Sequence, residues 1–219
     1  MSASEDSLSS STIGSGNLER LLVGAADLSK AGLDDFIELA SPSSDEDPPP
    51  MTGPTPEGTA LLNRAFNDKP AREVRTSFAN TDSSIVVDEG ISERAAGAAA
   101  TWMADMRKVY AQCTAWTISI GDQEIPVEVV KPADDSCQPL QVEQRFGDEA
   151  LMRTMLAGPV GQQAQITTLL VRGGDRVLEL TFRSLTAEPG SPEATRLGSA
   201  MSKFLELAPA KFLALPVTG

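Results

Sequence analysis

The stretch that decides the fold runs from Cys113 to Ser184, and its clearest part is Thr114-Ala115-Trp116-Thr117-Ile118-Ser119-Ile120. Trp116, Ile118 and Ile120 alternate with polar residues, so they point to one face of a predicted β-strand. Gly121-Asp122 is typical of a tight turn, and residues 124–130 form the returning strand of a hairpin. Pro126 favours an edge position for that strand, because proline cannot donate to a strand ladder.

Four more strands are predicted over residues 140–146, 150–156, 165–172 and 176–184. Glycine and aspartate supply turn conformations between them, at Gly147-Asp148, Gly158-Pro159-Val160-Gly161 and Gly173-Gly174-Asp175. Connections this short join antiparallel neighbours, so the sheet is predicted to be antiparallel. Residues 73–80 alternate in the same way, and with the short strand at 85–87 they extend the sheet.

Amphipathic helices are predicted on both sides of this region of the chain. Pro56 opens one short helix, and Ser92 is the predicted cap of a long helix whose apolar residues recur every three or four positions up to Cys113. Ser191-Pro192-Glu193 is a strong start for a last helix. The predicted fold is therefore α+β, an antiparallel sheet of about six or more strands covered by two main helices.

The 219 residues and net charge of -13 limit the possible organisation and partners. Residues 1–16 are predicted to be a flexible tether, 17–53 an N-terminal arm with a short helix and an acidic proline-rich loop, and 54–215 a single α+β domain. Whether the arm packs on the domain is left open. The acidity argues against nucleic-acid binding, since a phosphate backbone requires clustered Lys and Arg.

The ends of the chain bear on its location. The sequence has no apolar run long enough for a membrane span, and residues 1–11 are too polar for a secretory leader. The chain is therefore expected either to be cytoplasmic or to follow a removed leader, with an extracytoplasmic location favoured. Residues 215–219 read LPVTG, the sortase pattern, but a sorting signal also needs a hydrophobic segment and basic residues after the glycine.

The two cysteines, Cys113 and Cys137, allow two interpretations. A disulfide between them would stabilise the fold by about 3 kcal/mol on the chain-entropy estimate, and the alternative is two buried thiols in a reducing cell. No metal site and no cofactor are predicted, because the chain has no histidine and no CxxC pair. The missing histidine also excludes the usual hydrolase triads.

The order of elements resembles the extracellular sensor domains of PknH-type kinases and related actinobacterial lipoproteins. The resemblance rests on a long helix ending in cysteine, a Trp-containing strand, a second cysteine, and the segments Phe146-Gly147-Asp148-Glu149-Ala150-Leu151 and 168–178. It covers about residues 54–207. It implies a concave, partly apolar cleft on the sheet that receives a ligand, and it supplies no catalytic residues. Members commonly carry a further cysteine pair that this chain lacks.

Candidate ligand-binding residues are the few polar groups within strands and the apolar residues near them. They are Trp102, Met106, Tyr110, Trp116, Glu143, Arg145, Met152, Arg153, Met155 and Glu179. The alternative interpretation makes the helical residues core and the strand residues a solvated face. Tyr110 is the only tyrosine, so it is the one phenol available to donate to a bound oxygen.

Three functions are compatible with these residues. The first is a non-enzymatic, sensor-like domain that binds a hydrophobic small molecule in an apolar cleft between sheet and helices. The second is a cytoplasmic, cofactor-independent cyclase that folds a polyketide-like substrate by positioning alone. The third is a surface interaction module displayed on the tether.

Overall fold

The computed structural model describes residues 18–40, 48–111, 115–130, 146–185 and 191–214. Within these residues the chain forms nine strands and four α-helices, preceded by a short 3-10 turn at Glu19–Leu21. The helices are α1 (Ala25–Lys30), α2 (Pro56–Asn67), α3 (Ala98–Ala111) and α4 (Pro192–Leu213). The strands are β1 (Phe36–Leu39), β2 (Met51–Thr52), β3 (Arg72–Asn80), β4 (Ile85–Glu93), β5 (Trp116–Ile120), β6 (Gln123–Val129), β7 (Glu149–Ala157), β8 (Ala164–Gly173) and β9 (Arg176–Leu185).

All nine described strands belong to one sheet in the order β1-β3-β4-β9-β8-β7-β6-β5-β2, and every pairing is antiparallel. This confirms the predicted α+β class. The predicted strands at 150–156, 165–172 and 176–184 appear as β7, β8 and β9 with bounds that differ by one or two residues. Most of the strand predicted at 140–146 lies outside the described residues, and Phe146 itself is not in a strand.

The edge position predicted from Pro126 is wrong, because β6 lies between β5 and β7. The ladder with β7 includes only Val127, Glu128 and Val129. The carbonyl of Pro126 accepts from the Gly158 N–H just beyond that ladder. The missing proline N–H therefore falls where the pairing with β7 has already ended, and an interior strand tolerates it.

The predicted start of the long helix at Ser92 is also wrong, because β4 continues through Glu93. Ser92 pairs with Glu73 on β3 and with Val177 on β9, and α3 begins only at Ala98. Ladders on both sides hold Ser92 in the strand and prevail over its local capping propensity. By contrast, the predicted starts of α2 and α4 are confirmed, with Thr55 and Ser191 accepting from the Gly58 and Ala194 N–H groups.

The sheet is covered on both faces. On the α4 face, α4 and the N-terminal segment bury a core that includes Leu18, Leu28, Phe78, Leu180 and Phe204. On the opposite face, which we call the α2–α3 face, helices α2 and α3 bury a second core over β5 to β9. The sheet carries apolar side chains on both faces in its middle, which is why β8 reads as a near-continuous apolar run.

The N-terminal arm packs into the fold where it is described. Leu21 and Leu28 are buried in the α4-side core, and the Phe36 and Phe204 rings meet edge to face with centroids 5.5 Å apart. Strand β1 pairs with β3 at one edge of the sheet, while β2 pairs with β5 at the other edge. The arm thus contributes a strand to each edge of the sheet.

Candidate functional site

A cavity opens where the cover of the α2–α3 face ends. Helices α2 and α3 lie over β5 to β9, whereas β3 and β4 on this face carry mainly polar side chains. The cavity at this boundary has a volume of about 520 Å³ and is bounded by α2, α3, the loop after α2 and the strands β3, β4 and β9. We call it the Glu179 pocket.

One wall of the Glu179 pocket is apolar. It is built by Ala65 and Phe66 at the end of α2, Trp102 and Met106 on α3, and Val177 on β9. The indole N–H of Trp102 donates to the Ala65 carbonyl at 2.8 Å, which ties α3 to the last turn of α2. This hydrogen bond satisfies the one polar atom of the ring and fixes the orientation of the wall.

Arg94 holds the other side of the same tryptophan ring. Its guanidinium carbon lies 4.4 Å from the Trp102 ring centroid, and an Nη atom forms a short ion pair with Asp68. Arg94 is buried, and this burial lowers its pKa while Asp68 opposes that effect. The Arg94 backbone N–H donates to the Asp175 carbonyl, so the start of the α3 loop is fastened to the β8–β9 turn.

The floor of the pocket is a row of three residues on neighbouring strands. Arg75 on β3 pairs in register with Gly90 on β4, and Gly90 pairs with Glu179 on β9. A Cβ at Gly90 would lie 3.5 Å from the Arg75 guanidinium carbon, so Arg75 extends across the space that Gly90 leaves open. Its guanidinium reaches Glu73 at 2.7 Å and Glu179 at 3.5 Å.

The pKa of Glu179 is raised above its ordinary value, mainly by burial. Arg75 and Arg94 oppose the rise, whereas the carboxylates of Glu73 and Asp88 add to it. The side chain keeps 36% of its surface exposed, but that surface faces the pocket, whose walls separate it from bulk solvent. The pocket therefore holds a carboxyl group that is incompletely solvated and incompletely paired.

The structure brings only some of the predicted site residues together. Trp102, Met106 and Glu179 line the Glu179 pocket. Tyr110, Trp116 and Met155 are on the same face of the sheet but are buried in the α2–α3-side core. Burial raises the pKa of Tyr110, whose side chain is 1% exposed.

The remaining predicted residues lie elsewhere or are not described. Arg153 is buried on β7, where burial lowers its pKa, and Met152 packs against the core of the opposite face. Glu143 and Arg145 lie outside the described residues, as do Cys113 and Cys137. The predicted ligand contacts of all these residues, and the predicted disulfide, stay predictions.

Sequence reasoning missed the residues that form the pocket floor. Arg75 and Glu73 occupy the polar positions of a strand whose alternation was recognised, but alternation alone did not distinguish them from a solvated face. Gly90 was the available signal, since an isolated glycine inside a strand marks a close approach of other groups. Arg94 was taken as part of a helix, so its position beside Trp102 was not anticipated.

Comparison with solved structures supports the fold. The extracellular domain of PknH from Mycobacterium tuberculosis aligns with a TM-score of 0.55 at 8% identity, over 90% of this chain and 96% of that one. A protein from Mycobacterium smegmatis, the Rv0999 ortholog, aligns with a TM-score of 0.41 at 10% identity, over 84% of this chain and 95% of that one. CalU16 from Micromonospora echinospora gives a TM-score of 0.26 at 10% identity, over 67% and 86%.

The chain thus shares the fold of the PknH extracellular domain. Comparison by sequence finds no matching protein family and no matching curated protein. Among the described residues, the helices are too short or too polar to cross a membrane. The same residues contain no group of three or more His, Cys, Asp or Glu side chains placed to hold a metal ion.

Proposed function

We propose that this chain is a sensor-like, non-enzymatic domain that binds a small molecule in the Glu179 pocket. The observation that carries the proposal is the pocket itself, about 520 Å³ in volume. Small-molecule sites are commonly about 300–1,000 Å³, with apolar walls and a few placed polar groups. The apolar wall on α2 and α3 and the charged floor on β3 and β9 match that description.

The pocket walls are held in place before any ligand arrives. Trp102 is fixed by its hydrogen bond to Ala65 on one edge and by the Arg94 guanidinium on one face. Arg75 is fixed by its ion pair with Glu73. Groups that are already ordered lose little conformational freedom on binding, which favours recognition of a small ligand.

The test is a nuclear magnetic resonance titration of the full chain with three probes that share one apolar body. The probes are naphthylmethanol, naphthylmethylamine and naphthoate, which carry a neutral, a cationic and an anionic head. Binding of any of them in the pocket should shift the Trp102 indole N–H and the Gly90 amide. Absence of such shifts with all three probes would refute the proposal.

A pocket-filling variant makes the test specific. Gly90→Val places a side chain on the pocket floor at a strand position with no positive φ, and it should abolish probe binding. Gly198→Ala is the matched control, because a Cβ at Gly198 meets nothing within 4 Å. Equal probe binding by Gly90→Val and the parent chain would place the site elsewhere.

We also propose an extracytoplasmic location and a disulfide between Cys113 and Cys137. The fold shared with the PknH extracellular domain supports this location. The mass of the intact, natively produced protein without reductant tests the disulfide, because oxidation removes two hydrogens. Two free thiols would count against the extracytoplasmic proposal. No contact among the described residues favours the cyclase hypothesis, which stays a prediction.

A further inference from the structure

The Glu179 pocket has a charge imbalance on its floor. Glu73 and Glu179 share the guanidinium of Arg75, which lies closer to Glu73, at 2.7 Å, than to Glu179, at 3.5 Å. Asp88 stands on the strand between them and is itself paired with Arg183 at 2.7 Å. Of the carboxylates that line the pocket, Glu179 has the longest ion-pair contact in the described part of the chain.

The other cation near Glu179 is already engaged. Arg94 binds Asp68 and stacks on Trp102, and its side chain is only 6% exposed, so it cannot turn toward Glu179 without losing both contacts. Arg75 cannot approach Glu179 more closely without leaving Glu73. The carboxylate of Glu179 therefore keeps an unmet demand for a positively charged hydrogen-bond donor.

Apolar surface lies directly beside that carboxylate. Val177 is two positions before Glu179 on β9, so both side chains point to the same face of the sheet. Met106 and Phe66 continue this surface across the pocket wall. A ligand with a positive head at Glu179 would lay its body along Val177 and Met106.

We propose that the ligand of the Glu179 pocket is an organic cation, an ammonium group carried on an apolar body about the size of one or two rings. The ammonium donates to Glu179, where Arg75 now makes only a long contact. An ammonium has three donors and no acceptor, which suits a carboxylate that lacks close partners. The net charge of -13 also attracts cations to the chain from a distance.

This inference rests on the proposed function, and the same three probes separate the two. Naphthylmethylamine should bind at least about tenfold more tightly than naphthylmethanol, since a charge-assisted hydrogen bond contributes about that much. Naphthoate should bind more weakly than the alcohol. Similar affinities for amine and alcohol, or tighter binding of naphthoate, would overturn the cation proposal and leave the proposed function standing. If none of the three binds, the proposed function fails.

Two variants of opposite expected sign test the assigned group. Glu179→Gln keeps the shape of the side chain and should remove the preference for the amine over the alcohol. Arg75→Met removes the competing cation and should tighten amine binding about tenfold. Damage to the pocket would weaken binding in both variants, so the opposite signs are diagnostic. Retention of the amine preference in Glu179→Gln would overturn the proposal.

The control for a general charge effect is Glu124→Gln, at an exposed position on β6. It changes the net charge by the same amount as Glu179→Gln and should leave the amine preference unchanged. Thermal unfolding of each variant checks that the fold is retained. An equal loss of amine preference in both glutamine variants would show long-range attraction without a site, and would overturn the assignment to Glu179.

Discussion

Replacing Glu89 by glutamine is expected to stabilise the domain at alkaline pH and to have little effect near pH 4.5. Glu89 is on β4, on the face opposite the Glu179 pocket, and its side chain is 1% exposed. One carboxyl oxygen accepts from the Val23 N–H at 2.9 Å. The other is buried and has no hydrogen-bond partner among the described residues.

This environment disfavours the ionised form of Glu89. Burial is the largest cause and raises the pKa from its ordinary 4.5 to about 7, with a further small rise from Asp27. The hydrogen bond from Val23 and the charge of Lys211 oppose the rise. The gap is about 2.5 pH units, and at about 1.4 kcal/mol per unit it corresponds to about 3 kcal/mol.

The sign of the effect follows from the direction of the change. Below pH 4.5 the group is protonated in the folded and unfolded chains, so burial of a charge costs nothing. As the pH rises from 4.5 to about 7, the unfolded chain ionises first and the folded chain loses stability. Above about pH 7 the loss is constant. Glutamine never ionises, so Glu89→Gln should avoid the loss and gain about 3 kcal/mol at alkaline pH.

Urea denaturation at a series of pH values measures this gain. The fluorescence of Trp102 and Trp116 reports unfolding, and the free energy of unfolding is compared between parent and variant at each pH. Titration of other groups is common to both proteins and cancels in the difference. Glu124→Gln, at an exposed site, is the control and should show little change at any pH. A difference for Glu89→Gln that is flat across the series, or destabilisation at alkaline pH, would refute the reasoning.

The remaining predictions concern the stability of the fold. Gly147→Ala should destabilise by at least about 3 kcal/mol, because the position has a φ of +60° and a Cβ would lie 2.2 Å from the Arg172 carbonyl oxygen. Gly161→Ala, at a φ of +86° with open space around it, should cost only about 1 kcal/mol, and equal losses in urea denaturation would contradict this account. Ser191→Ala removes the cap of α4 and should cost about 1 kcal/mol by the same measurement, and an unchanged midpoint would mean that the cap is dispensable. Phe204→Ala should cost about 3–5 kcal/mol, since the ring is fully buried against three other phenylalanine rings, and a thermal midpoint within a few degrees of the parent would argue against this packing.

The candidate site was predictable only in part. Helical spacing put Trp102 and Met106 on one face of α3, and strand alternation identified Glu179 as a polar residue among apolar neighbours. Both patterns are local, so the sequence alone reveals them. The same patterns also selected Tyr110 and Trp116, which the structure buries in the core, because periodicity does not distinguish a buried stripe from a cavity wall.

The sequence by itself determined the local elements of this protein, including the alternating strands β7, β8 and β9, the turns between them and the capped starts of α2 and α4. These follow from interactions over a few residues, namely turn conformations, caps and side-chain alternation. Only the tertiary structure decided that β6 is an interior strand and that α3 and α4 lie on opposite faces of the sheet. It also decided that Arg75 reaches Glu179 across Gly90. The physical reason is that alternation states which residues share a face, whereas long-range strand pairing selects which strands become neighbours.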